Sequence, residues 1–211
     1  MNASSQALAV QGPAGSLEIL RDLPTVQSKG TVVIAHPHPL FGGTMHNKVV
    51  QTLARAYVQS GWTALRLNFR GVGQSAGVYD EGRGEVQDLM AVVSQLAQSG
   101  PLALAGFSFG AFVCCAALPL LAQRRPNKLV LVGLAASRFS VPDLPAELRT
   151  DALVIHGEQD DTVPLSHVFD WARPQALPVT VVPGAEHFFH GQLPLLKALV
   201  MRHLAVPDLH P

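Results

Sequence analysis

The sequence predicts an α/β protein with a mostly parallel central sheet and helices on both faces. Two observations carry that expectation. Short apolar runs rich in Val, Ile and Leu recur along the chain, as strands covered on both faces require. Longer stretches with apolar residues three and four apart separate them, as crossover helices require. A length of 211 residues suits one core, so residues 1–211 are expected to form a single domain.

Taken in order, residues 8–20 carry a Gly12-Pro13 pair and Gly15 and predict an antiparallel hairpin at one sheet edge. Thr31–Ala35 (TVVIA) is a β-branched strand after Gly30. Residues 48–60 set Val49, Val50, Leu53, Ala54, Tyr57 and Val58 on one helical face, with Gly61 just past the end. Residues 62–69 (WTALRLNF) form the next strand, and residues 84–98 a helix through Val86, Leu89, Met90, Val93 and Leu96. Leu102–Phe107 is a strand, followed by a helix over 109–121 that Pro119 kinks or ends. Strands follow at 129–134 and 152–156, then a helix at 168–176, a strand at Val179–Val182 and a helix at 193–204. Only 17 residues, 135–151, join two of these strands, and Pro142 and Pro145 make that segment irregular. No large cap domain fits there.

Composition excludes whole classes of function. Hydrophobic residues are 48% and charged residues 14%, so the chain is not disordered. Fifteen basic residues balance 15 acidic ones, so a nucleic-acid footprint is absent. Zero net charge makes a homodimer plausible. Cys114 and Cys115 are adjacent in an apolar run, which suits small core residues in a reducing compartment. The N-terminal stretch MNASSQALAVQGPAG has no charged leader pattern, and no apolar run reaches the roughly 20 residues of a membrane span. A cytoplasmic protein without a membrane partner is expected.

Open α/β sheets place their sites beyond the carboxyl ends of the strands. Gly106-Phe107-Ser108-Phe109-Gly110 fits G-x-S-x-G between a strand and a helix. Such a turn lifts the Ser108 hydroxyl above the sheet at a helix N-terminus, although serine also serves simply as an N-cap. A nucleophilic serine needs a base, and the base needs an acid to fix its tautomer. The order Ser, acid, His is met downstream: Asp160 or Asp161 follows one strand and His187 follows the next.

Several residues resemble a known family. His156-Gly157, Asp160 and Val163-Pro164 match HGxxDxxVP, and residues 184–191 read GAEHFFHG. Both resemble the α/β-hydrolase superfamily, and the first pattern selects Asp160 over Asp161. HPHPLFGGTMHNKVV at 36–50, LRLNFRGVGQSAGVYDEGRGEVQD at 65–88 and AGFSFGA at 105–111 resemble a group of small, cap-less bacterial members identified as esterases or serine hydrolases. The resemblance implies the α/β-hydrolase fold and a catalytic triad of Ser108, Asp160 and His187. It also implies an oxyanion hole from the amide of Phe109 and one amide of the 36–43 loop. Pro37 and Pro39 have no N–H. Leu40 is the expected donor, with His38 and Phe41 as rivals.

Other features read as structural. His36 and His38 lie in a proline-locked loop without carboxylate or cysteine, so no metal is expected. The glycine-rich stretch 70–77 lacks the third glycine spacing and the lysine of a phosphate cradle. Arg66, Arg70, Glu85 and Asp88 are expected to form one charge network beside it. Glu158/Asp161 and Asp80/Glu81 are solvated loop charges rather than glycosidase pairs. The expected function is a carboxylesterase-like serine hydrolase acting on a small ester or thioester, with no cofactor. Acyl transfer or peptide cleavage by the same triad, and a non-catalytic binding module on the same scaffold, are the alternatives.

Overall fold

A computed structural model describes residues 5–206; residues 1–4 of the stretch read for a leader lie outside them. Among the described residues, eight strands form one sheet: β1 (Ser5–Gly12), β2 (Gly15–Asp22), β3 (Thr31–Ala35), β4 (Thr63–Leu67), β5 (Leu102–Phe107), β6 (Lys128–Val132), β7 (Ala152–Gly157) and β8 (Val179–Val182). Their order is β1-β2-β4-β3-β5-β6-β7-β8. The β1–β2 and β2–β4 pairs are antiparallel and every other pair is parallel.

Strand alternation splits the core in two. Val32 and Ile34 of β3 face α1 (Lys48–Gln59) and α5 (Leu193–Ala205), through Val50, Leu53, Leu196 and Val200. Val33 and Ala35 face the other layer, which holds α2 (Arg83–Leu96), α3 (Phe109–Ala117) and α4 (Leu165–Ala172). Period-2 burial of one strand against two helical layers requires apolar residues at every position of that strand. That is why TVVIA reads as a continuous apolar run.

The expected elements are present, and their edges differ for local reasons. The hairpin runs further than 8–20, with Pro13 and Ala14 at its tip between Gly12 and Gly15. β4 stops at Leu67 rather than Phe69 because the next backbone and side-chain groups are used elsewhere. The Asn68 side chain accepts from the Met45 amide at 2.8 Å, and the Phe69 amide donates to His36 Nε2 at 3.1 Å. α3 ends at Ala117, and Pro119 sits in a 3-10 run over Leu118–Arg124. β6 ends at Val132 because Gly133 turns left-handed, with φ of 54°. α4 begins at Leu165, directly after Pro164, three residues before the expected start. The segment 135–151 holds a short 3-10 turn at Ala146–Asp151 and no cap.

The expected charge network is instead two separate buried pairs. Arg66 joins Asp22 of β2 at 2.8 Å, and Arg70 joins Asp88 of α2 at 2.7 Å. Glu85 caps α2, accepting the amides of Asp80 and Gly82 at 2.9 and 2.8 Å. No described helix is long and apolar enough to cross a membrane.

Asp88 is fully buried and accepts the Arg70 amide, Nε and Nη2. Asp88→Ala leaves the guanidinium without its counter-charge, a loss of about 3–5 kcal/mol. Urea denaturation should show that drop, and a change below about 1 kcal/mol would mean that the pair is replaceable by water.

Candidate active site

The site stands at the carboxyl ends of β3, β5, β6, β7 and β8. Its centre is the β5–α3 turn. Ser108 has φ of 56° and ψ of −114°, a region non-glycine residues avoid. The flanking residues have no room for side chains. A Cβ on Gly106 would lie 2.4 Å from the Gly110 backbone, and one on Gly110 would lie 2.3 Å from the Ala35 carbonyl oxygen. The Ser108 amide is tied to the Val132 carbonyl at 2.8 Å. The hydroxyl is thereby held over the sheet edge at the N-terminus of α3.

His187 and Asp160 reach it from the neighbouring strand ends. Ser108 Oγ lies 3.1 Å from His187 Nε2, and His187 Nδ1 lies 2.6 Å from Asp160 Oδ2. The Asp160 carboxylate is buried, yet its other oxygen accepts the amides of Thr162 and Val163 at 3.0 and 2.8 Å. This donor set keeps the charge at home in a low dielectric. It orients the carboxylate so that His187 donates from Nδ1 and leaves Nε2 as an acceptor for the serine proton. Asp161 is exposed and bonds only its neighbour Thr162. The structure therefore brings Ser108, His187 and Asp160 together and leaves Asp161 out. His190 is exposed and pairs with Glu186.

The acid and base loops are stitched to each other. The Gln159 amide donates to the Ala185 carbonyl at 2.9 Å, and Glu158 Oε2 accepts the Gly184 amide at 2.9 Å. Gly157 permits this, because a Cβ there would lie 2.4 Å from the Ala185 oxygen. Beneath them His156, with no exposure, donates Nε2–H to the Val163 carbonyl at 2.8 Å and lies 3.3 Å from Asp160 Oδ2. Burial pushes the His156 pKa down. Burial thus favours the uncharged ring, which braces the acid loop.

The 36–43 loop behaves differently from expectation at one residue. The Leu40 amide donates to His38 Nδ1 at 3.2 Å inside a 3-10 turn, and Leu40 does not line the cavity at Ser108. Its donor is already engaged. The Phe41 amide donates to the His38 carbonyl at 3.1 Å. His38 lines the cavity, and its amide has no acceptor among the described residues. Of the three residues weighed for this loop, His38 is the one with a donor to spare. The amide of Phe109 is at the first turn of α3 and has no intrahelical acceptor.

His36 anchors that loop. Its Nδ1–H donates to the Pro37 carbonyl at 2.6 Å, and its Nε2 accepts the Phe69 amide at 3.1 Å. Both nitrogens are engaged within the fold, so the ring has none to offer a metal. Burial lowers its pKa from 6.5 to about 4. A cavity of about 430 Å³ opens beside Ser108, walled by His38, Phe41, Phe109 and Phe139, with Arg138 and Thr162 among its polar groups. Arg138 and Phe139 belong to the 135–151 segment, whose shortness and prolines are visible in the sequence but whose place at the cavity is not.

Fold, elbow and strand-end loops define an α/β serine hydrolase without a lid. Residues 26–142 match the profile of the family described as Serine aminopeptidase, S33, and the chain belongs to that family. An uncharacterized protein of Rickettsia prowazekii is 33% identical, with 84% of this chain and 79% of that protein covered. A structure from Xanthomonas campestris, described as an α/β serine hydrolase without lid, is 37% identical with a TM-score of 0.86 and covers 98% of this chain and 99% of its own. An α/β serine hydrolase homologue from Coxiella burnetii is 38% identical with a TM-score of 0.83, covering 97% of this chain and 100% of its own.

Two outcomes follow. Gly110→Ala forces a side chain into the β3 backbone and should destabilise the fold by about 3 kcal/mol, read by thermal or urea unfolding; a loss under about 1 kcal/mol would show that the turn can relax. The unfolded His36 ring takes a proton near 6.5 and the folded ring only near 4. The folded state therefore binds fewer protons in that window, and this contribution to stability is full above pH 6.5. It falls away as pH drops toward 4, by about 3 kcal/mol. Wild type should lose that much more stability than His36→Gln between those pH values, and parallel curves would contradict it.

Proposed function

We propose that the protein hydrolyses short carboxylic esters or thioesters through an acyl-enzyme, with Ser108, His187 and Asp160 as its triad. The hydrogen-bonded chain from Ser108 through His187 to Asp160, at 3.1 and 2.6 Å, carries this reading. Ser108 Oγ attacks the acyl carbon while His187 Nε2 takes its proton. The carbonyl π pair moves to oxygen, and the amides of Phe109 and His38 receive that oxyanion. The C–O or C–S bond then breaks, and the leaving group takes the proton from His187. Water repeats the sequence in reverse roles, giving the free acid and Ser108. Asp160 stays ionised throughout and stabilises the imidazolium. No cofactor enters. Cys114 and Cys115 are free thiols, buried in the core, and that burial supports a reducing, cytoplasmic setting.

Labelling with a fluorophosphonate tests the nucleophile. Wild type should label within minutes and Ser108→Ala not at all, with p-nitrophenyl butyrate turnover falling by about 10⁴-fold or more in the variant. Full turnover in Ser108→Ala would end the proposal. Asp160→Asn should lower kcat by about 10³–10⁴-fold, because the amide favours the wrong tautomer, while Asp161→Asn stays within about twofold of wild type. The reverse order would move the acid by one residue. The short 135–151 segment leaves the cavity uncovered, and each buried methylene adds only about 0.8 kcal/mol. Across p-nitrophenyl esters from acetate to palmitate, kcat/KM should peak within about C2–C6. A maximum at C12 or beyond would require an enclosed channel.

A further inference from the structure

We infer that the cavity selects short esters bearing an anion at the end remote from the scissile bond, and that Arg138 is the group that reads it. This inference rests on the ester-hydrolase reading and names the substrate class within it.

The cavity has two chemically distinct parts. Its walls are aromatic: the His38 ring lies 4.8 Å from Phe41 and 5.1 Å from Phe109, and Phe139 lies 5.3 Å from Phe109. Phe139 is itself backed by Phe112, stacked at 4.5 Å and 14°. Such walls accept a small flat or apolar body and give it no charge partner. Arg138 is the one charged side chain among the lining residues, and no carboxylate lines the space with it.

Among the described arginines, only Arg138 and Arg202 have side chains without a partner, and of the two only Arg138 lines the cavity. Arg21 and Arg55 donate to Gln6 and Gln51. Arg66, Arg70, Arg83, Arg125 and Arg173 each pair with an acid. Arg124 and Arg149 donate to backbone carbonyls. The Arg138 guanidinium has no hydrogen-bond or ion-pair partner among the described residues and is exposed. Its backbone is nevertheless fixed. The amides of Arg138 and Phe139 both donate to the Ala135 carbonyl at 3.1 Å. That turn follows Gly133, where a Cβ would lie 3.1 Å from His187 Cε1. An unpartnered cationic fork thus extends from a fixed backbone on the loop beside the base, and no carboxylate stands among the residues lining the apolar cavity with it. Arginine in that position recognises a carboxylate or phosphate by a bidentate pair. An ester with a neutral tail fills the walls and leaves the fork in water; one with a distal anion uses both.

Two matched pairs test this in wild type, Arg138→Gln and Arg138→Glu at low ionic strength. Mono-4-nitrophenyl adipate against 4-nitrophenyl hexanoate places the anion on the acyl side. 4-Butanoyloxybenzoate against its methyl ester places it on the alcohol side. In wild type the anionic member of one pair should have a kcat/KM about three- to fivefold above its neutral match, a size set by one partly exposed ion pair. The preference should fade with added salt, vanish in Arg138→Gln and invert in Arg138→Glu. In the variants the readout is the ratio of kcat/KM within each pair, which cancels any change common to the neutral and the anionic member. Neutral and anionic esters within error of each other in both pairs, or a preference that survives Arg138→Gln, would overturn the role of Arg138 and leave the ester-hydrolase reading standing. Absence of turnover of all four esters, with no fluorophosphonate labelling of Ser108, would remove that reading and this inference together.

Discussion

The backbone of Ser108 is the constraint on which the remaining structure depends. A serine with φ of 56° costs about 1–3 kcal/mol, and it persists only because its surroundings leave no alternative. Gly106 and Gly110 let the strand and helix meet so closely that the helix start touches the end of β3. The Val132 carbonyl holds the Ser108 amide from the other side. α3 must then leave at one angle, and Val113, Cys114, Cys115 and Ala117 are buried as a consequence. One strained residue therefore fixes how β3, β5, β6 and α3 pack, and fixes the hydroxyl at the one point where β7 and β8 can reach it.

That reach is short because β7 and β8 are adjacent and parallel, so their carboxyl ends open side by side. Asp160 and His187 are 27 residues apart in the chain, yet each comes a few residues after its strand. Burying the carboxylate without partners would cost several kcal/mol. Two loop amides and one imidazole N–H meet that cost, while His156 bridges the loop from below. The pair is held by the fold's own groups, as a preorganised electrostatic site requires.

What was legible in the sequence follows from this arrangement. β3 and β5 are buried at nearly every position and so read as unbroken apolar runs, while the edge strand β8, only partly buried, is bounded in the sequence by Pro178 and Pro183; all three could be read to the residue. Glycines that no side chain can replace left the G-x-S-x-G turn visible. The choice between Asp160 and Asp161 rested on the HGxxDxxVP resemblance, because two adjacent carboxylates on a loop look alike until one is buried. Element ends were harder, since they depend on partners far away in sequence: β4 stops where Asn68 and Phe69 turn to Met45 and His36. The donor in the 36–43 loop was harder still. Whether an amide is free depends on a side chain two residues away, and only the structure reveals that His38 Nδ1 occupies the amide of Leu40.

The 135–151 segment changes meaning once the structure is seen. Its brevity excludes a cap, but the same residues make a wall: Ala135, Arg138 and Phe139 line the cavity from which a cap is missing. In a lidded enzyme, closure supplies contacts and excludes water after binding. Here those contacts come from four strand-end loops already tied down, by His36 to the Phe69 amide, by the Ala135 carbonyl to Arg138 and Phe139, by Asp160 to Thr162 and Val163, and by Ser108 to Val132. Because the loops are ordered in advance, little entropy is lost when a small molecule enters. The cost of the design is that nothing folds over the substrate to add surface. Discrimination must then arise from the few side chains that these loops present, while the serine, the imidazole and the carboxylate behind them are held by contacts that do not involve those side chains.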